Sequence, residues 1–113
     1  MNKIQNAVIE NVTIFKEDYG CLTVWLLLDY GENGIKPGFG GYPLYYPKNL
    51  KFHKIESVAG HFLWRVMEIA GVNRWEHLKG QTIRVKETCF GIEAIGHIIK
   101  EDWFNPSKDL KNI

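Results

Sequence analysis

The sequence is poor in the features that mark secreted or membrane-bound proteins. It has two cysteines among 113 residues, Cys21 and Cys89, which are too few for a disulfide framework. They can form one pair or stay reduced, and we expect reduced, buried thiols. No apolar run approaches the roughly 20 residues of a membrane span, and residues 1–5 lack the apolar core of a signal peptide. We therefore expect a soluble cytoplasmic protein with no membrane partner.

The net charge is close to zero. Lys and Arg number 14 against 13 for Asp and Glu, which leaves +1 at neutral pH. This balance argues against an acidic DNA mimic and against a strongly basic nucleic-acid binder, so we expect no sequence-specific DNA binding. The apolar fraction of 45% is enough for one core. The length predicts a single domain, which we place at residues 1–106, followed by a polar tail over residues 107–113.

Catalytic and metal-binding signatures are missing as well. The four histidines have neither the spacing of a metal site nor a cysteine close in sequence. There is no Gly-x-Ser-x-Gly elbow, and Cys89 with a distant histidine is weak evidence for a nucleophile. We therefore expect no cofactor, no metal and no enzymatic activity.

Strand patterns occupy both ends of the chain and a helical pattern lies between them. Apolar residues three or four apart predict a helix from Ser57 to Ala70, with Gly71 at its left-handed C-cap. Gly60 in its first turn suggests a close backbone approach. Alternation and turn residues predict strands over residues 4–15, 21–29, 39–46, 82–88 and 92–100. The order β-β-β-α-β-β predicts an α+β fold, with a largely antiparallel four- to five-stranded sheet and one main helix packed on one face.

The core is predicted from the apolar faces of these elements. Strict alternation over residues 22–29 puts one face, with Leu22, Val24, Leu26 and Leu28, fully in the core and leaves the other, with Thr23, Trp25 and Leu27, partly covered. Residues 92–100 are apolar on both faces and are predicted to form a central strand. The side chains that we expect to be buried are Trp25, Leu26, Leu28, Phe62, Val66, Ile83, Val85, Ile95 and Ile98.

A glycine-aromatic block is the first candidate binding element. Phe39, Gly40, Gly41 and Tyr42 follow a glycine and precede Pro43. The block lacks the Lys-Ser/Thr of a Walker loop and leads into a strand rather than a helix. It is either a glycine bulge that bends the third strand, or a bare backbone on which a ligand lies while Phe39 or Tyr42 stacks on it.

Cationic residues supply the rest of the candidate site. A basic patch precedes the helix and is interleaved with aromatic residues, a mixture that can stack bases and hold phosphates or can simply be solvated. Its cationic or titratable residues are Lys48, Lys51, His53 and Lys54, and its aromatic residues are Tyr45, Tyr46 and Phe52. Arg65 lies on the polar side of the predicted helix, where it can form an ion pair or bind an anion. His97, in an apolar strand, is either a hydrogen-bonded structural histidine or a functional one.

Three stretches together resemble a group of small proteins encoded by bacteriophages and prophages. They are Trp25–Tyr30 with Gly38–Tyr42, Gly60–Val72 with Trp75 and Gly80, and Ala94–Ile98 with Trp103–Pro106. The resemblance brings no catalytic residues with it. It implies a small accessory protein in the host-cell cytoplasm that inhibits antiviral defence, as anti-CRISPR proteins do, by binding a host defence protein such as a CRISPR nuclease complex.

Two alternatives stay open under this resemblance. The chain could sequester a small nucleotide ligand that acts as a defence signal, or it could be a phage structural or assembly component. Aromatic residues make up 13% of the chain, too many to hide behind one helix. We therefore also predict a homodimer that uses a sheet edge or the Tyr42–Tyr46 segment.

Overall fold

A six-stranded antiparallel sheet carries a three-turn helix on one face. The computed structural model describes residues 3–17, 20–31, 34–46 and 57–111. The elements are β1 (Lys3–Lys16), β2 (Leu22–Asp29), β3 (Gly38–Gly40), α1 (Ala59–Ala70), a 3₁₀ turn (Trp75–His77), β4 (Thr82–Thr88), β5 (Gly91–Gly96), β6 (Trp103–Phe104) and α2 (Pro106–Asp109). The sheet order is β3-β2-β1-β4-β5-β6. The α+β class and the antiparallel sheet are confirmed, with six strands instead of four or five.

The 14-residue strand β1 joins two halves of the sheet. Its first half pairs with β4 over Lys3–Val8, and its second half pairs with β2 as far as Lys16. The register shifts at Glu10, where a bulge adds one residue to β1. The segments of β1 that pair with β2 and with β4 overlap only near this bulge. The second half of β1 therefore extends beyond the end of β4, and its first half extends beyond the end of β2.

The core lies between α1 and the inner face of the sheet, which is the face that α1 covers. Alternate side chains of each strand point to this face. The fully buried large side chains are Phe39, Phe62, Phe104, Ile9, Leu26, Leu28, Ile69, Leu78, Ile83, Ile95, Val24 and Val66. The prediction of a buried Trp25 is wrong, because its side chain points to the outer face, where it is 39% exposed. Ile98 is only half-buried because β5 ends at Gly96.

Helix α1 follows its sequence pattern closely. Phe62, Val66 and Ile69 are buried, as their spacing predicts. Gly71 ends the helix at φ 76°, in the left-handed region that glycine tolerates best. The helix begins two residues later than predicted, while the Ser57 hydroxyl still accepts the Ala59 N–H at 3.2 Å. None of the helices among the described residues has the length and apolar character that a bilayer crossing requires.

Three predictions about local structure need correction. The third strand is three residues long rather than eight, and only Tyr45 beyond it makes a further bridge, to Leu22. The predicted central strand over residues 92–100 ends at Gly96 and lies second from the edge of the sheet, because the two-residue strand β6, too short to show alternation in a sequence, pairs beyond it. The close approach expected at Gly60 is wrong, since a Cβ there would meet nothing within 4 Å.

Candidate functional site

Two glycines at the candidate block, Gly38 and Gly41, pack against the indole ring of Trp25, and Gly40 packs against the backbone of Val24. The backbone of Gly38 lies beside the Trp25 ring, and a Cβ on Gly41 would come within 2.5 Å of it. Gly40 lies at φ 142°, and a Cβ there would collide with the carbonyl oxygen of Val24. Of the two interpretations of this block, these contacts support the structural one. The glycines let the chain pass under the indole of the neighbouring strand.

The aromatic residues of the block belong to a cluster in the core. Phe39 is 1% exposed and stacks on Phe62 at a centroid distance of 6.1 Å. Phe104 meets Phe62 edge-on at 5.4 Å, and Tyr42 lies 6.0 Å from Phe39. Burial raises the pKa of the Tyr42 hydroxyl. The ring of Phe39 therefore stabilises the fold and offers no face to a ligand at the surface.

Arg65 is held by carboxylates of the chain itself. Its guanidinium donates to Asp102 at 2.9 Å and to the Trp103 carbonyl at 3.0 Å, and it also pairs with Glu68. The Arg65 side chain is 15% exposed. The hydrogen bond from Arg65 lowers the pKa of Asp102. Arg65 thus links α1 to β6. Of the two alternatives for Arg65, an ion pair or anion binding, the structure contains the ion pair.

His97 organises the loop that follows β5. Its Nδ1 accepts the backbone N–H groups of Ile99 and Lys100, both at 3.0 Å. Arg84 holds the same loop from the sheet, donating at 2.7 Å to the carbonyl oxygens of His97 and Lys100. Arg84 also pairs with Glu101 at 3.0 Å. The imidazole Nδ1 therefore holds the backbone of the loop that follows β5.

A cation-aromatic stack on the outer face was missed by sequence reasoning. The guanidinium of Arg84 and the ammonium of Lys86 each lie 4.9 Å from the Trp103 ring. Gly96 lies under the same ring, where a Cβ would come within 2.6 Å of it. The signal that could have found the stack is the pair of cations two residues apart on one strand, which alternation places on one face.

The outer face also carries an apolar patch. Val8, Trp25 and Leu27, which we call the outer-face patch, are 40%, 39% and 38% exposed. Trp25 and Leu27 are two residues apart on β2, so they share a face. Val8 is opposite Asp29 in the register, which makes it the diagonal neighbour of Leu27. Three adjacent apolar side chains are thus partly open to solvent on the side away from α1.

A second apolar feature lies on α1. A shallow groove of about 270 Å³ is lined by Trp64, Met67, Glu68, Val72 and Asn73. Trp64 at its rim is 66% exposed. The groove is separate from the outer-face patch, because α1 lies on the opposite side of the sheet.

Of the remaining predicted site residues, the structure describes only Tyr46. Tyr46 is 40% exposed at the end of the segment after β3. Lys48, Lys51 and Lys54 lie outside the described residues.

Both cysteines are free. Cys21 is buried as predicted, whereas Cys89 is exposed in the two-residue turn between β4 and β5. Within the described ranges, no group of three or more His, Cys, Asp or Glu side chains is arranged to hold a metal ion.

Comparison with protein-family models, with curated proteins and with solved structures found no match to this chain.

Proposed function

We propose that the chain is a non-enzymatic binding protein of phage origin that blocks a host defence effector by docking onto it with the outer-face patch. The observation that carries the proposal is the exposure of Val8, Trp25 and Leu27 as near neighbours on an open sheet face. Contiguous apolar side chains on a protein surface commonly mark a protein interface. Trp is also one of the residue types on which binding energy concentrates.

The polar groups favour docking over the capture of a small nucleotide. Arg65 already forms hydrogen bonds with Asp102 and Glu68. His97 already accepts hydrogen bonds from backbone N–H groups of the chain itself. A nucleotide bound by these two side chains would have to replace those bonds. A protein partner on the outer face would disturb neither residue, because the patch consists of apolar side chains on other strands.

The choice of a defence effector as the partner rests on the resemblance to small phage proteins. The net charge of +1 is compatible with protein docking and offers little attraction to nucleic acid in general. An inhibitor of this kind needs no cofactor, since occupying the surface of the effector is enough to block it.

Infection of cells that carry single defence systems tests the proposal. The chain is expressed in each strain, and plaque formation by a sensitive phage is compared with that in cells without it. We expect rescue in at least one strain and binding of the purified chain to the effector of that system. Leu27→Lys, which places a charge in the patch, should abolish both.

The matched control is Phe90→Ser, because Phe90 is 97% exposed and lies outside the patch. Rescue that survives Leu27→Lys would contradict docking by the outer face. A nucleotide signal that raises the melting temperature of the chain would instead support sequestration, since ligand at 100 times its dissociation constant adds about 2.7 kcal/mol of stability.

A further inference from the structure

Within the part of the chain that the structure describes, one edge of β1 is open along its second half. Ile9 is the last residue bonded towards β4, donating to the Gln81 carbonyl at 2.8 Å and accepting the Gly80 N–H at 2.7 Å. Beyond it, β1 runs on to Lys16 with β2 on its other side. None of the described residues pairs with the free side of residues 11–16, a length of about 20 Å at about 3.3 Å per residue.

The backbone bonds of β2 show which groups of β1 face the open side. The backbone groups of Leu22, Val24 and Leu28 form hydrogen bonds of 2.9 to 3.0 Å with residues on the side of β2 away from β1. Those residues are Tyr45, Leu44, Gly41 and Pro37. Successive residues of a strand direct their N–H and C=O groups to opposite sides. The residues of β2 between them, including Trp25, therefore direct their backbone N–H and C=O groups to β1. Trp25 is opposite Thr13 in this pairing.

The same alternation applies to β1. Since Thr13 bonds β2, its neighbours Val12 and Ile14 direct their N–H and C=O groups to the open edge. The side chains of both residues lie on the inner face, opposite Leu26 and Val24. Ile14 is nevertheless 44% exposed, because the core does not extend as far as the end of β1. The open edge thus offers both unpaired backbone groups and an uncovered aliphatic side chain.

We propose that this edge pairs with the same edge of a second copy of the chain, antiparallel about a two-fold axis at Thr13. The inference does not depend on the proposed function. In this register Val12 is opposite Ile14 of the second copy, and Ile14 is opposite its Val12. Both pairs join residues whose backbone groups point to the edge, as an antiparallel ladder requires. They also cover the exposed Ile14 with another β-branched side chain.

The residue on the axis is compatible with the same register. Glu10 takes no part in it, because it lies in the bulge of β1 and its carboxylate pairs with Lys36 of the same chain at 2.8 Å. Thr13 faces its own copy across the axis, and Thr–Thr pairs are favourable cross-strand neighbours. The edge is therefore complementary to itself in backbone bonding and in aliphatic contact.

Disulfide trapping tests the register directly. In a Cys89→Ser background, which removes the exposed native thiol, Thr13→Cys is oxidised with oxidised glutathione. Thr13 and its copy form a non-hydrogen-bonded pair with Cα atoms about 4.5 Å apart, within the range of a disulfide. We expect a covalent dimer in high yield.

Asn11→Cys is the matched control, as it lies on the same face of the same strand and is likewise exposed. It is opposite Phe15 of the second copy, so the two Asn11 positions are about 13 Å apart and should not cross-link. Equal cross-linking of both variants would overturn the register. Absence of cross-linking at Thr13→Cys would overturn it as well.

Sedimentation of the otherwise unaltered chain measures the association itself. Between about 1 and about 100 μM we expect the mass to rise from one chain of 13.1 kDa towards two. Ile14→Lys removes the aliphatic contact with Val12 of the second copy, which the two-fold axis creates twice, and we expect it to raise the dissociation constant at least about tenfold. A single-chain mass over the whole range would overturn the dimer, and an unchanged dissociation constant in Ile14→Lys would overturn the register.

Discussion

The indole ring of Trp25 lies against the backbone of Gly41, where a Cβ would approach ring atom Cζ2 to 2.5 Å. Gly41 also has φ 78°, a backbone conformation that L side chains adopt at a cost. Gly41→Ala therefore meets two penalties at once, a strained backbone and a collision with the ring. We expect it to lower the free energy of unfolding by about 1–3 kcal/mol, measured by urea denaturation.

Gly60→Ala is the control for this substitution. Gly60 lies in α1 with open space where its Cβ would be. Alanine there should raise the free energy of unfolding, by up to about 1 kcal/mol, because it is the better helix former. Effects of the same sign at both glycines would contradict the packing role of Gly41.

The aromatic cluster predicts a second contrast, between Phe62 and Phe90. Phe62 is fully buried between Phe39 and Phe104, whereas Phe90 is 97% exposed. Phe62→Ala should cost about 3–5 kcal/mol of unfolding free energy, the usual loss for a buried Phe. Phe90→Ala should change it by less than about 0.5 kcal/mol.

Because small domains have only about 5–15 kcal/mol of stability in total, Phe62→Ala can abolish folding. Phe62→Leu leaves most of the apolar contact and gives a smaller loss that can be measured on folded protein. Equal stability of the Phe62→Leu and Phe90→Ala variants would contradict the central place of Phe62 in the core.

The sequence was most informative where one element has one apolar face. The pattern of α1 predicts its buried residues, and residues 82–88 form β4 with the expected bounds. For β2, alternation predicts the covered face with Leu26 and Leu28, and only the expected burial of Trp25 on the other face is wrong. Trp25 is exposed there because α1 covers the other face of the sheet.

The candidate site was predicted only in part, because its residues contact partners that are far away in the sequence. Arg65 pairs with Asp102, which is 37 residues further along the chain, and no local pattern shows that contact. The ion pair was among the alternatives for Arg65, but its partner was not. The role of Gly41 depends on the ring of another strand, which spacing alone does not reveal.

The contact between Arg65 and Asp102 predicts a dependence of stability on acid pH. The pKa of Asp102 is lowered in the folded chain, foremost by the hydrogen bond from Arg65. In the unfolded chain it returns to its ordinary value of about 3.9. The ionised carboxylate therefore stabilises the fold above about pH 4, and this contribution is lost as the pH falls through the lower folded value.

Asp102→Asn should remove this contribution. The Asp102 side chain is 40% exposed, so we expect a loss of no more than about 1 kcal/mol at neutral pH. The difference from the unaltered chain should shrink as the pH falls below 4, measured by denaturation at each pH. Glu76→Gln is the control, because Glu76 and Arg74 are both 69% exposed and 3.8 Å apart, and it should have no measurable effect.

Tyr30 predicts a dependence at alkaline pH. Its hydroxyl donates to Glu87 Oε2 at 3.1 Å, and burial together with the Glu87 carboxylate raises its pKa to about 12. In the unfolded chain this pKa is about 10. The contribution of Tyr30 to stability is thus complete below pH 10 and is lost as the pH rises towards 12, because the unfolded chain gives up the proton first. Denaturation between pH 9 and 11 should show a fall in stability that Tyr30→Phe reduces.

Glu87→Gln separates the two causes of that raised pKa. It removes the negative charge beside the Tyr30 hydroxyl and leaves an amide oxygen that can still accept its hydrogen bond. Because burial is the largest single cause and remains in this variant, the pKa of Tyr30 should fall below 12 and still stay above its ordinary value of about 10. Ultraviolet absorbance of tyrosinate during a pH titration, compared with that of Tyr30→Phe, isolates this one group. A pKa of about 10 in Glu87→Gln would show that the carboxylate, and not burial, holds the proton on Tyr30.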